Sequence, residues 1–176
     1  MGTKNESTLN ERWLPVVGYE GWYDVSNMGR IRRAKTSRGA TRLHIIGSQK
    51  EDRGYLITRL HKHGGRYRVR VHSLVATAFL GSRPDGMQVN HIDGIKTNNN
   101  ADNLEYVAPL ENIHHALRLG LRRQILSVND VYAIRELLKE QTQTSIARTF
   151  GVTQTAISYI STGTNWGWLQ DESAVT

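Results

Sequence analysis

Residues 87–116 read MQVNHIDGIKTNNNADNLEYVAPLENIHHA, and this stretch decides the fold. An apolar run ends at His91, a loop rich in glycine and asparagine follows, and the short segment NLEYV has the composition of a strand. A segment patterned as a helix then opens near Asn112. Polar side chains that can bind a metal ion and activate water therefore come from three separate pieces of backbone, an arrangement that suits cleavage of phosphodiesters.

The asparagines of this stretch support two interpretations. Asparagine is poor in strands and in the middle of helices, but it builds turns and holds neighbouring groups through its side chain. Part of the run is therefore loop construction, and a single histidine after an apolar run is more often structural than catalytic. His91 is nevertheless a candidate for catalysis, because many polar residues lie close to it in the sequence.

The charge of the chain favours a polyanion as partner. The 176 residues are enough for one compact domain or two small ones, and 23 Lys+Arg against 16 Asp+Glu give a net charge of +7. Between Met28 and Arg70 the only acids are Glu51 and Asp52, whereas basic residues recur throughout. Phosphate contacts by such a segment release bound counterions, although a merely solvated basic face remains the alternative. No amphipathic helix accompanies the charge, which disfavours an anionic membrane.

Several classes of protein are disfavoured by composition. The chain has no cysteine, so neither a disulfide scaffold nor a cysteine-based zinc site is expected. No apolar run reaches the length of a membrane span, and the polar start MGTKNESTLNE lacks the apolar core of a secretory signal. We therefore expect a cytoplasmic protein, in the host cytoplasm if a phage encodes it, with no membrane partner and no small-molecule cofactor.

A β-hairpin with an arginine face is predicted between residues 55 and 71. Tyr55 to His61 alternate in character, residues 62–65 form the turn, and arginines alternate with apolar residues on the returning strand. Such a ribbon can enter a major groove, or it can grip phosphates and only position the protein. The arginines predicted to contact DNA here and in the preceding module are Arg30, Arg32, Arg33, Arg59, Arg66, Arg68 and Arg70.

Upstream of the hairpin, a small β-rich module is predicted. Short strands flank the turn SNMG, and Trp13, Tyr19 and Trp22 are expected in its core. Residues 72–80 predict a helix whose apolar side chains share one face. His72, which opens this helix, is expected to be structural.

The C-terminal part predicts three short helices. Ser127 can cap the first, residues 143–150 form the second, and Thr153 can cap a third that follows the glycine turn at Gly151. This is helix-turn-helix spacing, although an ordinary three-helix packing element is the alternative. The residues expected to face DNA are Gln154, Thr155, Ser158 and Tyr159.

Four parts of the sequence resemble modules of a known family. VHSLVATAFLG at 71–81 and VNHIDGIKTNNNADNLEYVAPLENIHHA at 89–116 resemble the HNH endonucleases of phages and intron-borne homing elements. WLPVVGYEGWYDVSNMGRIRR at 13–33 resembles the amino-terminal module that often precedes such nucleases, and the C-terminal part resembles the helix-turn-helix modules appended to them.

The resemblance implies a ββα-metal active site with strands at 88–92 and 104–107 and a helix at 109–119. His91 would be the general base and Asn103 would orient its ring. Asn90 and Asn112 would bind one divalent ion, Mg²⁺ first, with Mn²⁺ or Zn²⁺ possible. Products would carry 5′-phosphate and 3′-hydroxyl ends.

One residue departs from the pattern of the family. Many relatives place aspartate before the catalytic histidine, where this chain has Asn90. An amide oxygen can bind a hard cation but brings no charge, so compensation by Asp93, Glu105, Glu111 or His115 is considered. His115 follows Asn112 by one helical turn, and a solvent-exposed helix residue is its plainer interpretation.

Together these features predict an α+β protein with a β-rich N-terminal module and hairpin, a ββα-metal core and a C-terminal helix-turn-helix. The expected segments are a disordered leader (1–11), the N-terminal module (12–53), the nuclease domain (54–119), a basic linker (120–126), the helix-turn-helix (127–165) and a tail (166–176). We expect a metal-dependent DNA endonuclease that acts as a monomer on duplex DNA and nicks one strand per site. The alternative is a non-catalytic DNA-binding regulator on the same scaffold. An RNA-directed protein is disfavoured because regularly spaced stacking aromatics are missing.

Overall fold

The computed structural model describes residues 10–34, 44–122 and 124–169. Four predicted features lie outside the described residues: the disordered leader at 1–9, the basic positions between 35 and 43, Arg123 of the linker, and the end of the tail. The chain forms two compact units, Met1–Asn112 and Ile113–Thr176, whose boundary falls within one helix. The structure is thus mixed α/β, with three small sheets and five α-helices in its described part.

The first sheet is built by the N-terminal module. Its antiparallel strands are β1 (Trp13–Pro15), β2 (Tyr23–Ser26), β3 (Ile31–Arg33) and β4 (Ile45–Ile46), in that order. The tight turn between β2 and β3 uses Gly29 at φ +79°, a conformation that only glycine adopts at low cost. The Ser26 hydroxyl accepts hydrogen bonds from the backbone N–H groups of Met28 and Arg30 and so closes this turn.

The second sheet contains the predicted hairpin. Strands β6 (Leu56–Lys62) and β7 (Gly65–Arg70) pair antiparallel, and β5 (Gln49–Lys50) adds to β6. The Tyr23 hydroxyl accepts a hydrogen bond from the His61 N–H at 3.0 Å and donates one to the His61 carbonyl at 3.2 Å. One buried tyrosine therefore ties the first sheet to the second.

The predicted order of two strands and a helix is present downstream. Helix α1 (Val71–Phe79) leads through a loop to β8 (Gln88–His91), which pairs antiparallel with β9 (Leu104–Val107). A short 3₁₀ turn at Ala101–Asn103 precedes β9, and α2 (Pro109–Arg118) follows it. Each element begins and ends within one or two residues of its predicted position.

The core of the first unit lies beneath α1. Val25 and Ile31 of the first sheet, with Val16 just after β1, meet Leu60 of the hairpin and Val75 of the helix. All five are fully or almost fully buried. The prediction of a core built on Trp13, Tyr19 and Trp22 is confirmed for Tyr19, which packs against the core. It was wrong for Trp22, which is 41% exposed, and Trp13 is half-buried outside the core cluster. Smaller branched side chains and Tyr23 form this core instead.

The second unit has its own core. Helices α3 (Val128–Leu137), α4 (Gln143–Phe150) and α5 (Gln154–Ser161) pack through Val131, Ile134, Ile146 and Ile157. Ser127 caps α3 in a capping box with Asp130, and Thr153 caps α5, as predicted. Gly151 ends α4 in the left-handed conformation, at φ +65°.

The first part of the expected tail packs into the second unit. Trp166 and Trp168 contact its core, and Leu169 is 6% exposed. Trp168 also stacks on His114 of α2, with the ring centroids 4.0 Å apart and the planes inclined by 9°. In the described part of the chain, no helix has the length and apolar character needed to cross a bilayer.

Candidate active site and basic surfaces

His91 lies at the end of β8 and is almost wholly buried, with 4% of its surface exposed. Its Nε2 is 3.1 Å from Oδ1 of Asn99, another buried residue. The Nδ2 of the same amide donates to the backbone carbonyl of Thr97, which can only accept. The amide oxygen must therefore face the imidazole, so Nε2 carries the proton and Nδ1 keeps its lone pair.

The surroundings of His91 keep it neutral. Burial lowers the pKa of His91 below its usual range, and the positive charge of Lys96 lowers it further. The hydrogen bond to Asn99 and the negative charge of Asp93 act in the opposite direction but do not reverse the shift. A neutral imidazole with a free Nδ1 is the form that can accept a proton.

Two aromatic rings contact the His91 ring. His72 lies edge to face with it at a centroid distance of 5.2 Å, and Tyr55 lies at 6.0 Å. His72 is itself buried, which lowers its pKa to about 4, and repulsion from His91 in its protonated form and from Arg70 adds to the effect. Among the described residues, its Nδ1 is the one buried side-chain nitrogen or oxygen without a hydrogen-bond partner. These contacts agree with the expectation that His72 is structural.

Asn103 makes its hydrogen bonds within the loop, and its expected role in orienting the His91 ring stays a prediction. Its Oδ1 accepts from the backbone N–H of Asp93, and its Nδ2 donates to the Asp93 carboxylate and to the Asn98 carbonyl. Both hydrogens of the amide are thus engaged within the loop. The ring of His91 is instead held by Asn99, and Asn103 fixes the loop that carries Asn99.

Asp93 organises the same loop. Asn98, Asn103 and the backbone N–H of Ile95 donate to its carboxylate, and these hydrogen bonds lower the pKa of Asp93. Most of the asparagine-rich run therefore stabilises the loop, as the first of the two interpretations predicted. One asparagine of the triplet, Asn99, turns inward to the histidine.

The two predicted amide ligands are held on one face of the β8–β9 pair. Asn90 is buried, and its Nδ2 donates to Oε1 of Glu105 at 2.8 Å. The Nδ2 of Asn112 donates to Oε1 of Gln88, also at 2.8 Å. Gln88 and Asn90 alternate along β8 with one residue between them, so they project from the same face, and Asn112 of α2 is tied to that face. Each amide therefore donates a hydrogen bond from its nitrogen to a neighbouring side chain, and its oxygen can bind another partner.

The donor set fits a hard divalent cation. Oxygen atoms of carboxamides, waters and phosphates are ligands of Mg²⁺ and Mn²⁺, whereas Zn²⁺ favours nitrogen and sulfur. Within the described ranges, no three side chains of histidine, cysteine, aspartate or glutamate gather in a metal-binding cluster. A cation here would rest on Asn90 and Asn112, with an acid, Glu105, beside the first of them. His115 lies further along α2 in the second unit, and its metal role stays a prediction.

The N-terminal module supports the loop that holds His91. The backbone N–H of Ala101 donates to the Asn27 carbonyl at 2.7 Å. Gly29 lies so close to the loop that a Cβ added to it would meet Cβ of Asn99 at 2.8 Å. This contact cannot be predicted from the sequence. The turn alone accounts for a glycine at position 29, and the two segments are about 70 residues apart.

The hairpin presents the predicted arginine face. Arg59 and Arg68 are directly opposite each other across the strands, and Arg66 is opposite His61. Like charges in such pairs destabilise a sheet, so this face is suited to an anionic partner. Glu51 balances part of the charge by pairing with Arg68 at 3.1 Å and with Arg70 at 2.8 Å. Arg70 and Lys96 also lie near the ring of Tyr55, which contacts His91.

The arginines of the N-terminal module have partners within the protein. Arg30 pairs with Glu11. Arg32 pairs with Asp24 at 2.9 Å and lies over the ring of Trp13 at 4.3 Å. Their predicted DNA contacts, and that of Arg33, stay predictions.

The predicted DNA-facing residues of the C-terminal unit are on α5. Tyr159 is 46% exposed, and Gln154 at the start of the helix donates to Gln143 at the start of α4. Thr155 and Ser158 are on the same helix, Thr155 exposed and Ser158 half-buried. Helices α4 and α5 are therefore joined near their N-terminal ends, and their predicted DNA contacts stay predictions.

Two family models match the part of the chain that contains this geometry. Residues 69–114 match the model described as "HNH endonuclease", and residues 11–72 match the "NUMOD4 motif". The chain therefore contains an HNH endonuclease domain, which a NUMOD4 motif precedes.

Relatives and a solved structure agree with the family. The DNA endonuclease I-HmuI of Bacillus phage SP01 is 36% identical over 108 residues, which are 61% of this chain and 59% of that protein. The "Uncharacterized HNH endonuclease L247" of Acanthamoeba polyphaga mimivirus is 34% identical over 138 residues, 73% of this chain and 33% of that protein. The chain thus spans between a third and three-fifths of these two relatives.

The fold is similar to that of a solved structure described as "DNA binding and cleavage by the HNH homing endonuclease I-HmuI". The two share 25% identity and a TM-score of 0.55, and the match covers 88% of this chain and 91% of the other. The likeness therefore extends beyond the HNH domain to most of the described chain.

Proposed function

We propose that this protein is a metal-dependent DNA endonuclease of the homing type that nicks one strand of duplex DNA at each active site. The observation that carries the proposal is the state of His91: a buried, neutral imidazole whose Nε2–H is fixed by Asn99 and whose Nδ1 is free to accept a proton. The family and the phage relative named as a DNA endonuclease support the choice of substrate.

In the proposed reaction, Nδ1 of His91 takes a proton from a water molecule as that water attacks the scissile phosphorus. Asn99 holds the imidazolium that results, because Nε2–H still donates to its Oδ1. His91 ends β8 and directly follows Asn90, so the proposed base and the first proposed cation ligand come from the same end of one strand. An in-line displacement has the attacking and leaving oxygens on opposite sides of phosphorus, so the base and the cation would act on different oxygens of the same phosphate.

A divalent cation, Mg²⁺ in the first place, would be held by the amide oxygens of Asn90 and Asn112 and would stabilise the charge on the departing 3′ oxygen as a Lewis acid. The products would then carry 5′-phosphate and 3′-hydroxyl ends.

DNA would be bound by surfaces on both units. The arginine face of the hairpin would follow the duplex, and Gln154, Thr155, Ser158 and Tyr159 of a helix-turn-helix would add contacts outside the cutting site. Since one chain carries one HNH domain, we propose a monomer that nicks. A double-strand break would need a second copy or a second event.

The proposal is tested with supercoiled plasmid carrying a cognate site, or with a pool of random duplexes if the site is unknown. Wild-type protein with Mg²⁺ should convert supercoiled plasmid to open circles, and His91→Ala should not. His114→Ala is the matched control, since it removes a histidine that belongs to the other unit and stacks on Trp168. Cutting that survives His91→Ala would rule out His91 as the base.

A non-catalytic regulator is the second candidate, and one observation favours it: the two amide ligands provide no negative charge for a cation. A regulator would bind its DNA site in the presence of a chelator and would never cut it. Retention of DNA in EDTA together with intact plasmid under every divalent metal would therefore favour the regulator over the nuclease.

A further inference from the structure

We propose that Glu105 is a positioning residue of the cation site. Its carboxylate holds the Asn90 amide with Oδ1 turned away from it, and it supplies the negative charge that the two amide ligands lack. This inference rests on the proposed function, because it concerns how that site binds its cation.

The contact between the two side chains is set by the strand register. Asn90 and Glu105 are directly opposite each other in the β8–β9 pair, so they share one face of the sheet. The Asn90 Nδ2 is 2.8 Å from the Glu105 carboxylate, and Asn90 is 6% exposed whereas Glu105 is half-buried. An ionised carboxylate can only accept hydrogen bonds, so the amide has one possible orientation.

The two amides of the site differ in what holds them. Gln88, a neutral group, accepts from Asn112, and Glu105, a charged group, accepts from Asn90. A neutral acceptor is therefore sufficient for orientation, and the charge at position 105 must have another consequence. A negative charge one hydrogen bond away from a cation ligand increases the electron density on that ligand and the attraction for the ion.

The functional pair is thus Asn90 with Glu105, in which one side chain provides the oxygen and the other the charge. If so, the two roles can be exchanged between the strands. In N90D/E105Q the carboxylate would be at position 90, and the glutamine amide could donate the same hydrogen bond across the strands. In N90D alone, two carboxylates would face each other at a hydrogen-bond distance and repel.

The test measures Mn²⁺ binding by the full chain without DNA, from the electron paramagnetic resonance signal of the free ion. We expect E105Q to weaken Mn²⁺ binding roughly tenfold, the scale seen when an outer partner of a metal ligand is lost. We expect N90D/E105Q to bind Mn²⁺ at least as tightly as the wild type. The matched control is D102N, which removes the same charge from an exposed position three residues upstream and should leave Mn²⁺ affinity unchanged.

Thermal unfolding of each variant controls for the fold, and the exchange variant keeps the test decisive even if one single variant is unstable. Equal Mn²⁺ affinity in the wild type and E105Q would overturn the proposal. It would also be overturned if E105Q lowered Mn²⁺ affinity by the same factor in the N90D background as in the wild type. Those results leave the nuclease intact, because the wild type still binds Mn²⁺. Absence of Mn²⁺ binding by the wild type, with DNA or without it, would overturn this proposal and the proposed function together.

Discussion

Oδ1 of Asn99 lies 3.1 Å from Nε2 of His91 and fixes the imidazole as the tautomer with a free Nδ1. The loop around Asn99 is held by Asp93 and Asn103 on one side and by the turn at Gly29 on the other. A side chain eight residues from the base therefore decides which of its nitrogens can accept a proton.

We predict that Asn99→Leu lowers the rate of plasmid nicking without abolishing the fold. The His91 ring would lose the acceptor for its Nε2–H, so part of the population would carry the proton on Nδ1. In that tautomer Nδ1 cannot act as the base. A base contributes 10²–10⁴-fold, so we expect a loss on the order of 10²-fold in kcat. Asn99→Asp should retain more activity than Asn99→Leu, because a carboxylate also accepts from Nε2. Equal activity of all three proteins would contradict the assignment.

We predict that Gly29→Ala impairs nicking although residue 29 is in the NUMOD4 motif. The added Cβ would meet Cβ of Asn99 at 2.8 Å and its carbonyl oxygen at 3.2 Å, so the loop beneath His91 must shift. Gly18→Ala is a close control, since Gly18 has the same φ of +79° and an added Cβ there would meet nothing within 4 Å. Both variants incur the cost of a left-handed alanine, roughly 1 kcal/mol. Only Gly29→Ala should also slow nicking, and equal nicking by the two variants would show that Asn99 does not transmit the shift.

The HNH elements and the C-terminal helices could be predicted because their signals are local. Strand alternation, helix spacing and the capping residues Ser127 and Thr153 all depend on neighbours within a turn or two, and the structure confirms them. The position of His91 at the end of a strand was predictable on the same basis.

The inner partners of the site were not predictable in this way. The sequence marks Asn98, Asn99, Asn100 and Asn103 as equally suited to a loop, and only the folded loop shows that Asn99 turns inward. The resemblance implied that Asn103 orients the His91 ring. In the structure Asn99 hydrogen-bonds to that ring, and Asn103 bonds to Asp93 and Asn98. Packing of Gly29 on Asn99 joins segments that no local pattern connects.

We predict a loss of stability at acid pH that depends on His72. Its pKa is about 4 in the folded protein against 6.5 when it is exposed, so the unfolded chain binds the proton more tightly. The contribution of His72 to stability is therefore complete above pH 6.5 and declines as the pH falls, by about 2 kcal/mol at pH 5 and about 3 kcal/mol below pH 4.

His72→Phe keeps an aromatic ring against Tyr55 and His91 but cannot bind a proton. Urea unfolding followed at pH 7 and at pH 5 should show a smaller difference for this variant than for the wild type, by about 2 kcal/mol. His44→Phe is the control, since His44 is exposed. An identical pH dependence in His72→Phe and the wild type would contradict a buried neutral His72.

We predict that Arg66→Gln weakens binding to every duplex to a similar extent. Arg66 is exposed on the arginine face of the hairpin, and a phosphate contact there would release about one counterion. The slope of log K against log salt should therefore fall in magnitude by about 0.9. Arg83→Gln removes the same charge from an exposed loop and should leave the slope as in the wild type. A change restricted to one base of the target would instead indicate that Arg66 reads sequence.

We predict that Tyr159→Ala weakens DNA binding while the second unit stays folded. The side chain is 46% exposed on α5, whereas the neighbouring Ile157 and Ile160 are in the core, so its removal should leave the melting temperature nearly unchanged. If Tyr159 contacts a base, its removal should weaken the binding free energy for DNA by roughly 1–3 kcal/mol. Glu140→Ala, at an exposed position just after α3, is the control and should not weaken binding. Filter binding in EDTA separates this effect from cutting. Wild-type affinity in Tyr159→Ala, together with wild-type affinity in Gln154→Ala, would show that the three helices are a packing element and that the hairpin alone holds the DNA.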